Sequence, residues 1–272
     1  MSLFRRKPKI PGSVKRIAHK GLSGRYPENT KEALAAAAEA GFDAVETDVW
    51  EVPGFYHDGR TGFVLMHDSD LKRMCGADVK VKDLTEETIH DHPITAGNGN
   101  DSRQTYHIAT LQEYIHIMKD TGMELHIEFK DDDISLQGAQ AIIDMLREEA
   151  VLQRTCFISF SRKSLETVIG VCSDRGSEDD SVSGAEIAAR MPRYGLLVGL
   201  RNKGRISDCI NWCMDKGVGY MGIRYSLYTD KVADRLKSCG ITAGVWAAED
   251  EKKVSKAVKR GAGCVTVDEV CW

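Results

Sequence analysis

Acidic, basic and histidine side chains follow several short apolar runs in this sequence. The segments are His19-Lys20-Gly21, Glu46-Thr47-Asp48, His67-Asp68 and His126-Ile127-Glu128-Phe129-Lys130. If each apolar run is a buried strand, alternation places Glu46 and Asp48 on one side of their strand. Glu128 and Lys130 share a side in the same way. Such segments at neighbouring strand ends would bring several ionisable groups together.

Three carboxylates, Glu46, Asp48 and Glu128, are the candidate ligands of one divalent cation. Burying three carboxylates together without a cation would be very unfavourable. Oxygen ligands favour Mg²⁺ or Ca²⁺ over zinc, and the sequence does not choose between the two. In the alternative interpretation, one or two of these carboxylates pair with Arg16 or with a lysine.

Two histidines, His19 and His67, lie next to the proposed carboxylates. Histidine transfers protons near neutral pH, so one could assist the attacking oxygen as base or act as nucleophile, while the other acts as acid. Together these residues indicate a metal-assisted hydrolase. His126 is on the same side as Glu128, but we expect it to pack behind the site.

Further side chains are candidates for substrate binding. Lys20 and Lys130 could bind an anionic oxygen, although Lys130 could instead pair with Asp131 or Glu128. Trp246 could form a wall of a pocket for a small head group, and Phe160 could do the same.

Short apolar runs that alternate with helical patterns predict the elements that position these groups. The eight predicted strands are Arg16–His19, Ala44–Trp50, Glu124–Lys130, Cys156–Phe160, Gly195–Leu200, Tyr220–Arg224, Thr242–Ala247 and Cys264–Asp268. The predicted helices include Asn29–Ala40, Gln137–Glu149, Ser207–Lys216, Asp230–Ser238 and Asp250–Lys259. Repeated strand–helix units predict a parallel sheet, and eight of them predict an α/β fold closed into a TIM (β/α)₈ barrel.

The alternation is interrupted after the second strand. A hairpin-like piece with Asp58-Gly59 and Thr61-Gly62 precedes the strand-like run Phe63–His67. We therefore expect residues 1–272 to form a single barrel domain with a small insertion at about 51–110. A second polar stretch, Ser173–Gly184, is typical of a flexible connector.

Length and composition restrict the function class. A chain of 272 residues with a net charge of -4 gives no reason to expect a nucleic-acid partner. The sequence has no apolar run long enough for a transmembrane helix, and its basic N-terminus lacks the apolar core of a secretory signal. The eight cysteines form no CxxC pair, so a reducing, cytoplasmic location is expected. The sequence pattern favours no particular oligomeric state.

Several motifs resemble those of the glycerophosphodiester phosphodiesterases. The matching segments are His19-Lys20-Gly21, Pro27-Glu28-Asn29-Thr30, Glu46-Thr47-Asp48-Val49, His67-Asp68 with Leu71 and Arg73, Ala109-Thr110-Leu111, Ile127-Glu128-Phe129-Lys130, Val245-Trp246 and Val267-Asp268. The likeness spans most of the chain and is most specific in its first half.

The resemblance implies a TIM barrel with a small insertion and a metal-dependent reaction. By that likeness Glu46, Asp48 and Glu128 would bind the cation, and His19 and His67 would be the catalytic pair. The implied reaction is hydrolysis of a glycerophosphodiester to glycerol 3-phosphate and an alcohol, in one step or through a cyclic phosphate.

Two departures from the family pattern bear on the substrate. Lys20 stands where the family has arginine, and lysine lacks the planar fork that binds phosphate through two bonds. The stretch from Asp48 to His67 is also several residues longer than usual. Two alternatives stay open: a phospholipase D-like lyase that cyclises a lysophospholipid, and a non-catalytic barrel that binds a phosphorylated ligand.

Overall fold

The computed structural model describes residues 11–99, 104–176, 191–246, 248 and 250–269. The strands in these ranges are β1 (Lys15–Ala18), β2 (Ala44–Val52), β3 (Gly62–Leu65), β4 (Glu124–Phe129), β5 (Thr155–Ser159), β6 (Arg193–Val198), β7 (Tyr220–Arg224), β8 (Thr242–Trp246) and β9 (Cys264–Val267). The α-helices are α1 (Lys31–Glu39), α2 (Lys72–Cys75), α3 (Leu111–Met118), α4 (Leu136–Glu148), α5 (Arg162–Gly176), α6 (Ile206–Asp215), α7 (Asp230–Ser238) and α8 (Glu251–Lys259).

Eight parallel strands close into a barrel. They are hydrogen-bonded in the order β1, β9, β8, β7, β6, β5, β4 and β2, and β1 also pairs with β2 to complete the ring. The remaining strand, β3, runs antiparallel along the outer half of β2. The predicted TIM barrel is therefore confirmed. Its eight strands all end at one mouth, where such barrels build their sites.

Most strands are buried on both faces. Outward-facing side chains such as Val45, Leu125 and Ile223 pack with the helices in one large apolar cluster. Inward-facing side chains such as Ile17, Ile158 and Leu197 form a separate small cluster in the barrel. The alternation along each strand therefore separates a helix-facing side from a barrel-facing side.

The segment between β2 and α3 has its own apolar cluster. Phe55, Met66, Met74 and Ile94 are buried there with eight other residues. The predicted hairpin is confirmed, because β3 pairs with the second half of β2. This packing gives the segment a fixed position beside the barrel mouth.

One sequence-based expectation needs correction. The stretch Ser173–Gly184, predicted to be a connector, overlaps helix α5, which continues to Gly176. Polar composition favoured a loop there, but Val168, Val171 and Cys172 bury one face of the helix in the main core. Residues 177–184 of the stretch lie outside the described part of the chain.

Replacing Gly244 with alanine is expected to destabilise the barrel by about 1–3 kcal/mol. A Cβ atom at Gly244 would lie 1.8 Å from the hydroxyl oxygen of Tyr220, which fills the barrel interior. Thermal unfolding would measure the loss as a lower melting temperature. Gly170, in α5, is the matched control because a Cβ there meets open space. Gly170→Ala should stabilise the helix by about 1 kcal/mol, and equal effects of both changes would contradict the packing argument.

Candidate active site

Three buried carboxylates meet at the mouth of the barrel. Glu46 and Asp48 point inward from β2, and Glu128 points inward from the adjacent strand β4, opposite Asp48 in the pairing register. One oxygen of each carboxylate lies within 4.8 Å of the others. The three side chains predicted as metal ligands are thus brought together.

Asn29 holds Asp48 in place from the loop before α1. Its side-chain nitrogen donates to Asp48 Oδ2 over 2.9 Å, and its side-chain oxygen accepts from the Thr47 hydroxyl and the Asp48 amide. Asn29 is buried and adopts a left-handed backbone with φ of 59°. Asparagine tolerates this conformation better than most residues, so the strained turn directs an amide at a carboxylate.

The loop after β1 supports Glu46. The Lys20 amide donates to Glu46 Oε2 over 2.9 Å. Gly21 follows with φ of 74°, and a Cβ there would lie 2.6 Å from the carbonyl carbon of Ala33. Only glycine fits this turn, which explains why a glycine follows the lysine. Glu46 Oε1 is buried and has no hydrogen-bond partner among the described residues.

Burial dominates the electrostatics of the three carboxylates. Burial and then the charge of Asp48 raise the pKa of Glu46 to about 8, and the same two causes raise the pKa of Glu128. Burial also opposes ionisation of Asp48, but the cations, Lys130 foremost, hold its pKa at about 2. Three ionised carboxylates at this separation therefore call for more positive charge than the neighbouring side chains supply.

Lys130 supplies one of these positive charges. Its Nζ lies 2.8 Å from Glu128 Oε1 and 3.3 Å from Asp48 Oδ1. Burial lowers the pKa of such an amine, but Asp48 and Glu128 outweigh burial and raise it. Of the two alternative partners suggested by the sequence, Glu128 is the one that pairs with Lys130, and the same residue lines the cavity.

His19 follows β1 and is oriented by Asp268, the residue directly after β9. Its Nδ1 lies 2.6 Å from Asp268 Oδ1, and Asp268 also accepts from the Ser23 hydroxyl. Burial alone would lower the pKa of His19, but the Asp268 hydrogen bond and the charge of Glu46 raise it. The contact at Nδ1 leaves Nε2 available for proton transfer.

His67 follows β3 and is oriented in a similar way. Its Nδ1 lies 2.7 Å from Asp68 Oδ1, and Arg73 Nε binds the other oxygen of Asp68. Arg73 also pairs with Glu28, whose second oxygen binds Lys20 Nζ over 3.0 Å. A continuous chain of charges thus links the second histidine to the loop of the first. It holds the ammonium group of Lys20 against Glu28.

A cavity of about 210 Å³ opens over these groups. The carboxylates, both histidines and Lys130 line one side of it. Ile158, Phe160, Leu197, Tyr220 and Trp246 line the other side. The Phe160 and Trp246 rings meet edge to face, with centroids 5.8 Å apart. The predicted site residue Trp246 therefore lies at the cavity.

His126 lies below the carboxylates, inside the barrel. It is 1% exposed, packs edge to face against Tyr220, and its Nε2 is 3.8 Å from Glu124 Oε2. This buried position agrees with the packing role expected for it. Burial lowers the pKa of the His126 ring.

The sequence profile of the glycerophosphoryl diester phosphodiesterase family matches residues 19–271. The chain belongs to this family. The family resemblance seen in the motifs is thereby confirmed, and the matched range contains every residue of the site described above.

Individual relatives and solved structures are similar to this chain. A glycerophosphodiester phosphodiesterase of Caldanaerobacter subterraneus is 32% identical over 155 residues, a match that spans 56% of this chain and 60% of the relative. The solved structure of the Thermotoga maritima glycerophosphodiester phosphodiesterase is 26% identical, with a TM-score of 0.67 over 94% of this chain and 95% of that one. An Oleispira antarctica phosphodiesterase, solved with sn-glycerol-3-phosphate, is 21% identical, with a TM-score of 0.74 over 93% and 92%.

Several side chains in the site had no role assigned from the sequence, among them Asn29, Arg73 and Asp268. Asn29 and Arg73 lie in segments that resemble family motifs, and Asp268 ends a predicted strand. Their partners are Asp48, Asp68 and His19. The motif likeness was the available signal, but it did not show which atoms meet.

Proposed function

We propose that this protein is a metal-dependent phosphodiesterase that hydrolyses glycerophosphodiesters to glycerol 3-phosphate and an alcohol. One observation carries the proposal: three carboxylates and two carboxylate-oriented histidines line one cavity at the mouth of a barrel of this family. The glycerol phosphate product bound to the Oleispira antarctica relative supports a substrate of this class. The substrate is a small molecule, and we propose no nucleic-acid partner.

We propose that Glu46, Asp48 and Glu128 hold a divalent cation, Mg²⁺ or Ca²⁺. The residues fit such an ion because their ligands are all oxygen atoms and because Glu46 Oε1 has no partner among the described residues. When bound, the cation supplies positive charge that stabilises the phosphoryl oxygens. Lys130 adds positive charge beside it.

The two histidines carry the proton transfers in this proposal. His19 Nε2 removes a proton from the attacking oxygen, and the Asp268 carboxylate stabilises the imidazolium that results. His67 Nε2 protonates the departing alcohol, and Asp68 fixes its ring orientation. The attacking oxygen belongs either to water, which gives glycerol 3-phosphate directly, or to the glycerol hydroxyl of the substrate, which gives a cyclic phosphate that water then opens. Trp246, which lines the cavity, contacts the organic part of the substrate. Lys20 binds the phosphate in this proposal by exchanging its Glu28 partner for a phosphate oxygen.

A substrate panel tests the function. Glycerophosphocholine, glycerophosphoethanolamine and glycerophosphoglycerol would each be incubated with Mg²⁺, with Ca²⁺ and with EDTA, and the products would be read by phosphorus NMR. We expect glycerol 3-phosphate with one or both cations and none with EDTA. Hydrolysis that is unaffected by EDTA would contradict the metal-dependent mechanism. No hydrolysis of any diester would contradict the function.

The lyase alternative rests on the apolar side of the cavity, where Phe160 is 48% exposed. A lysophospholipid would give a stable cyclic phosphate in the same NMR assay. The non-catalytic alternative predicts binding of a phosphorylated ligand without turnover. The same panel with one lysophospholipid added distinguishes both alternatives from the proposed hydrolase: the lyase would form a cyclic phosphate, and the non-catalytic barrel would form no product.

Helix length and cysteine chemistry bear on where the protein is located. None of the described helices combines the length and hydropathy that a transmembrane segment requires. The buried pair Cys209 and Cys213 on α6 has free thiols. A cytoplasmic location stays a prediction from the cysteine pattern.

The stabilisation produced by Mg²⁺ is expected to be greater at pH 9 than at pH 6. In the metal-free protein, the pKa of Glu46 is about 8, against a usual value of 4.5. Because the folded protein raises this pKa, the stability contributed by Glu46 is fully present below pH 4.5 and is lost as the pH rises through 8. A bound cation favours the ionised carboxylate and offsets this loss.

Melting temperatures with Mg²⁺ and with EDTA, measured at both pH values, test this expectation. A Glu46→Gln variant provides the control, since it has no proton to release at this position. An equal gain on adding Mg²⁺ at both pH values in the wild type would contradict the argument. A gain on adding Mg²⁺ that is equal at both pH values in Glu46→Gln, but larger at pH 9 in the wild type, would support the argument.

A further inference from the structure

Arg224 ends β7 at the barrel mouth, on the inward side. Along this strand Tyr220 lines the cavity, and alternation places Gly222 and Arg224 on the same face. The outward residues, Met221 and Ile223, belong to the helix-facing core. Arg224 is therefore directed to the mouth of the cavity, across the barrel from β2 and its carboxylates.

Within the described ranges, no acidic side chain pairs with the guanidinium group of Arg224. Among the residues that the structure describes, it forms no ion pair and no hydrogen bond, and it lies 6.0 Å from the centroid of the Trp246 ring. By contrast, Arg73 is neutralised by Glu28 and Asp68, and Arg162 is neutralised by Asp208. An unpaired, exposed cation at a pocket rim attracts anions.

Arg224 also lies beside the aromatic corner of the cavity, which is formed by Phe160 and Trp246. Phe160 and Trp246 form an edge-to-face pair of the kind that could receive a quaternary ammonium group. Arg224 lies over the Trp246 ring, so a cationic head group placed there would meet a like charge. The corner instead offers apolar carbon contacts beside a positive charge.

We infer that Arg224 forms a subsite for an anionic group on the alcohol part of the substrate, and that it disfavours a cationic head group. The inference rests on the proposed function and names its substrate class: glycerophosphodiesters whose alcohol carries a second phosphate or a carboxylate. The reacting phosphate lies by the three carboxylates and the second anion lies by Arg224. Phe160 and Trp246 contact the carbon atoms between them.

The test compares two diesters of opposite head-group charge. Bis(glycerophospho)glycerol carries a second phosphodiester, and glycerophosphocholine carries a quaternary ammonium group. In the wild type we expect kcat/KM to favour the anionic diester, with a preference that weakens as salt is added. Arg224→Gln should reduce the ratio of the two kcat/KM values by about tenfold, because it removes one charge interaction near the surface.

Two further variants make the result specific to charge at this position. Arg224→Lys retains a cation and should keep most of the preference. Arg235→Gln removes an exposed arginine from α7 and should leave the ratio unchanged. A ratio that is the same in Arg224→Gln as in the wild type would overturn the inference, and so would an equal loss in Arg235→Gln.

A binding measurement separates this inference from the proposed function. In a His19→Ala background, calorimetric titration with each diester in the presence of Mg²⁺ reports affinity without turnover. Tighter binding of bis(glycerophospho)glycerol that is lost on adding Arg224→Gln supports the subsite even if the wild type hydrolyses neither compound. Hydrolysis by the wild type together with affinities that are unchanged by Arg224→Gln would leave the function standing and reject the subsite.

Discussion

Replacing His19 with alanine is expected to lower kcat for a glycerophosphodiester by about a hundredfold or more. The imidazole of His19 is the group that removes the proton from the attacking oxygen in the proposed reaction. Its Nδ1 is held by Asp268, so Nε2 has a fixed direction before the substrate arrives. Alanine removes both the proton acceptor and the charge that Asp268 stabilises. Steady-state kinetics on the wild type and the variant, with saturating Mg²⁺, measure the loss.

His67→Ala should lower kcat by a similar factor, because the departing alcohol would leave without a proton donor. His116, exposed on α3, gives the matched control, and His116→Ala should leave kcat unchanged. The pH profile adds a second readout, since loss of either site histidine should remove one limb of the kcat/KM curve. Two variants with near-normal kcat and an intact fold would rule out the pair as proton-transfer groups.

Asp268→Asn should cause a smaller loss than His19→Ala. Asparagine can still accept a hydrogen bond from His19 Nδ1, but it carries no charge to stabilise an imidazolium. Because Asp268 contributes to raising the pKa of His19, the acidic limb of the pH profile should shift to lower pH in this variant. The direction of this shift distinguishes an electrostatic role from a packing role.

The barrel and its reactive groups were predictable for one physical reason. Side chains alternate along strands, and parallel strands end on the same side of a sheet. Polar residues such as Glu46, Asp48 and Glu128 after apolar runs therefore had to meet at one mouth. The pairing of Asp48 with Glu128 in the register of β2 and β4 confirms this expectation.

The supporting contacts were not predictable in the same way, since they join segments that are distant along the chain. His19 and Asp268 are 249 positions apart. The amide of Asn29 reaches Asp48 only because a left-handed turn precedes α1. Lys20 was predicted to bind phosphate. Its side chain pairs with Glu28 in the structure, and the position of the Glu28 carboxylate is set by its second partner, Arg73. These long-range contacts form because the closed barrel brings the segments together, and the local sequence pattern of each segment does not indicate them.

The loss of one proposed metal ligand is the second large effect we expect. Asp48→Asn should weaken Mg²⁺ binding and reduce activity at low Mg²⁺ by roughly a hundredfold or more, because a neutral amide replaces the central charge of the three ligands. Asp48 is the carboxylate best prepared for a cation. Asn29 orients it, and its pKa of about 2 keeps it ionised throughout the neutral range.

Three measurements separate this loss from unfolding. The variant keeps the shape of the side chain, so its melting temperature in EDTA should stay near that of the wild type, while the gain on adding Mg²⁺ should shrink. Raising Mg²⁺ should recover part of the activity if affinity is what was lost. Asp215→Asn, an exposed change at the end of α6, should alter none of these quantities.

Because the charge of Asp48 also helps to raise the pKa of Glu46, its removal should shift the pH dependence of the Mg²⁺ effect to lower pH. An unchanged pH dependence alongside lost activity would mean that the two carboxylates do not share one ion.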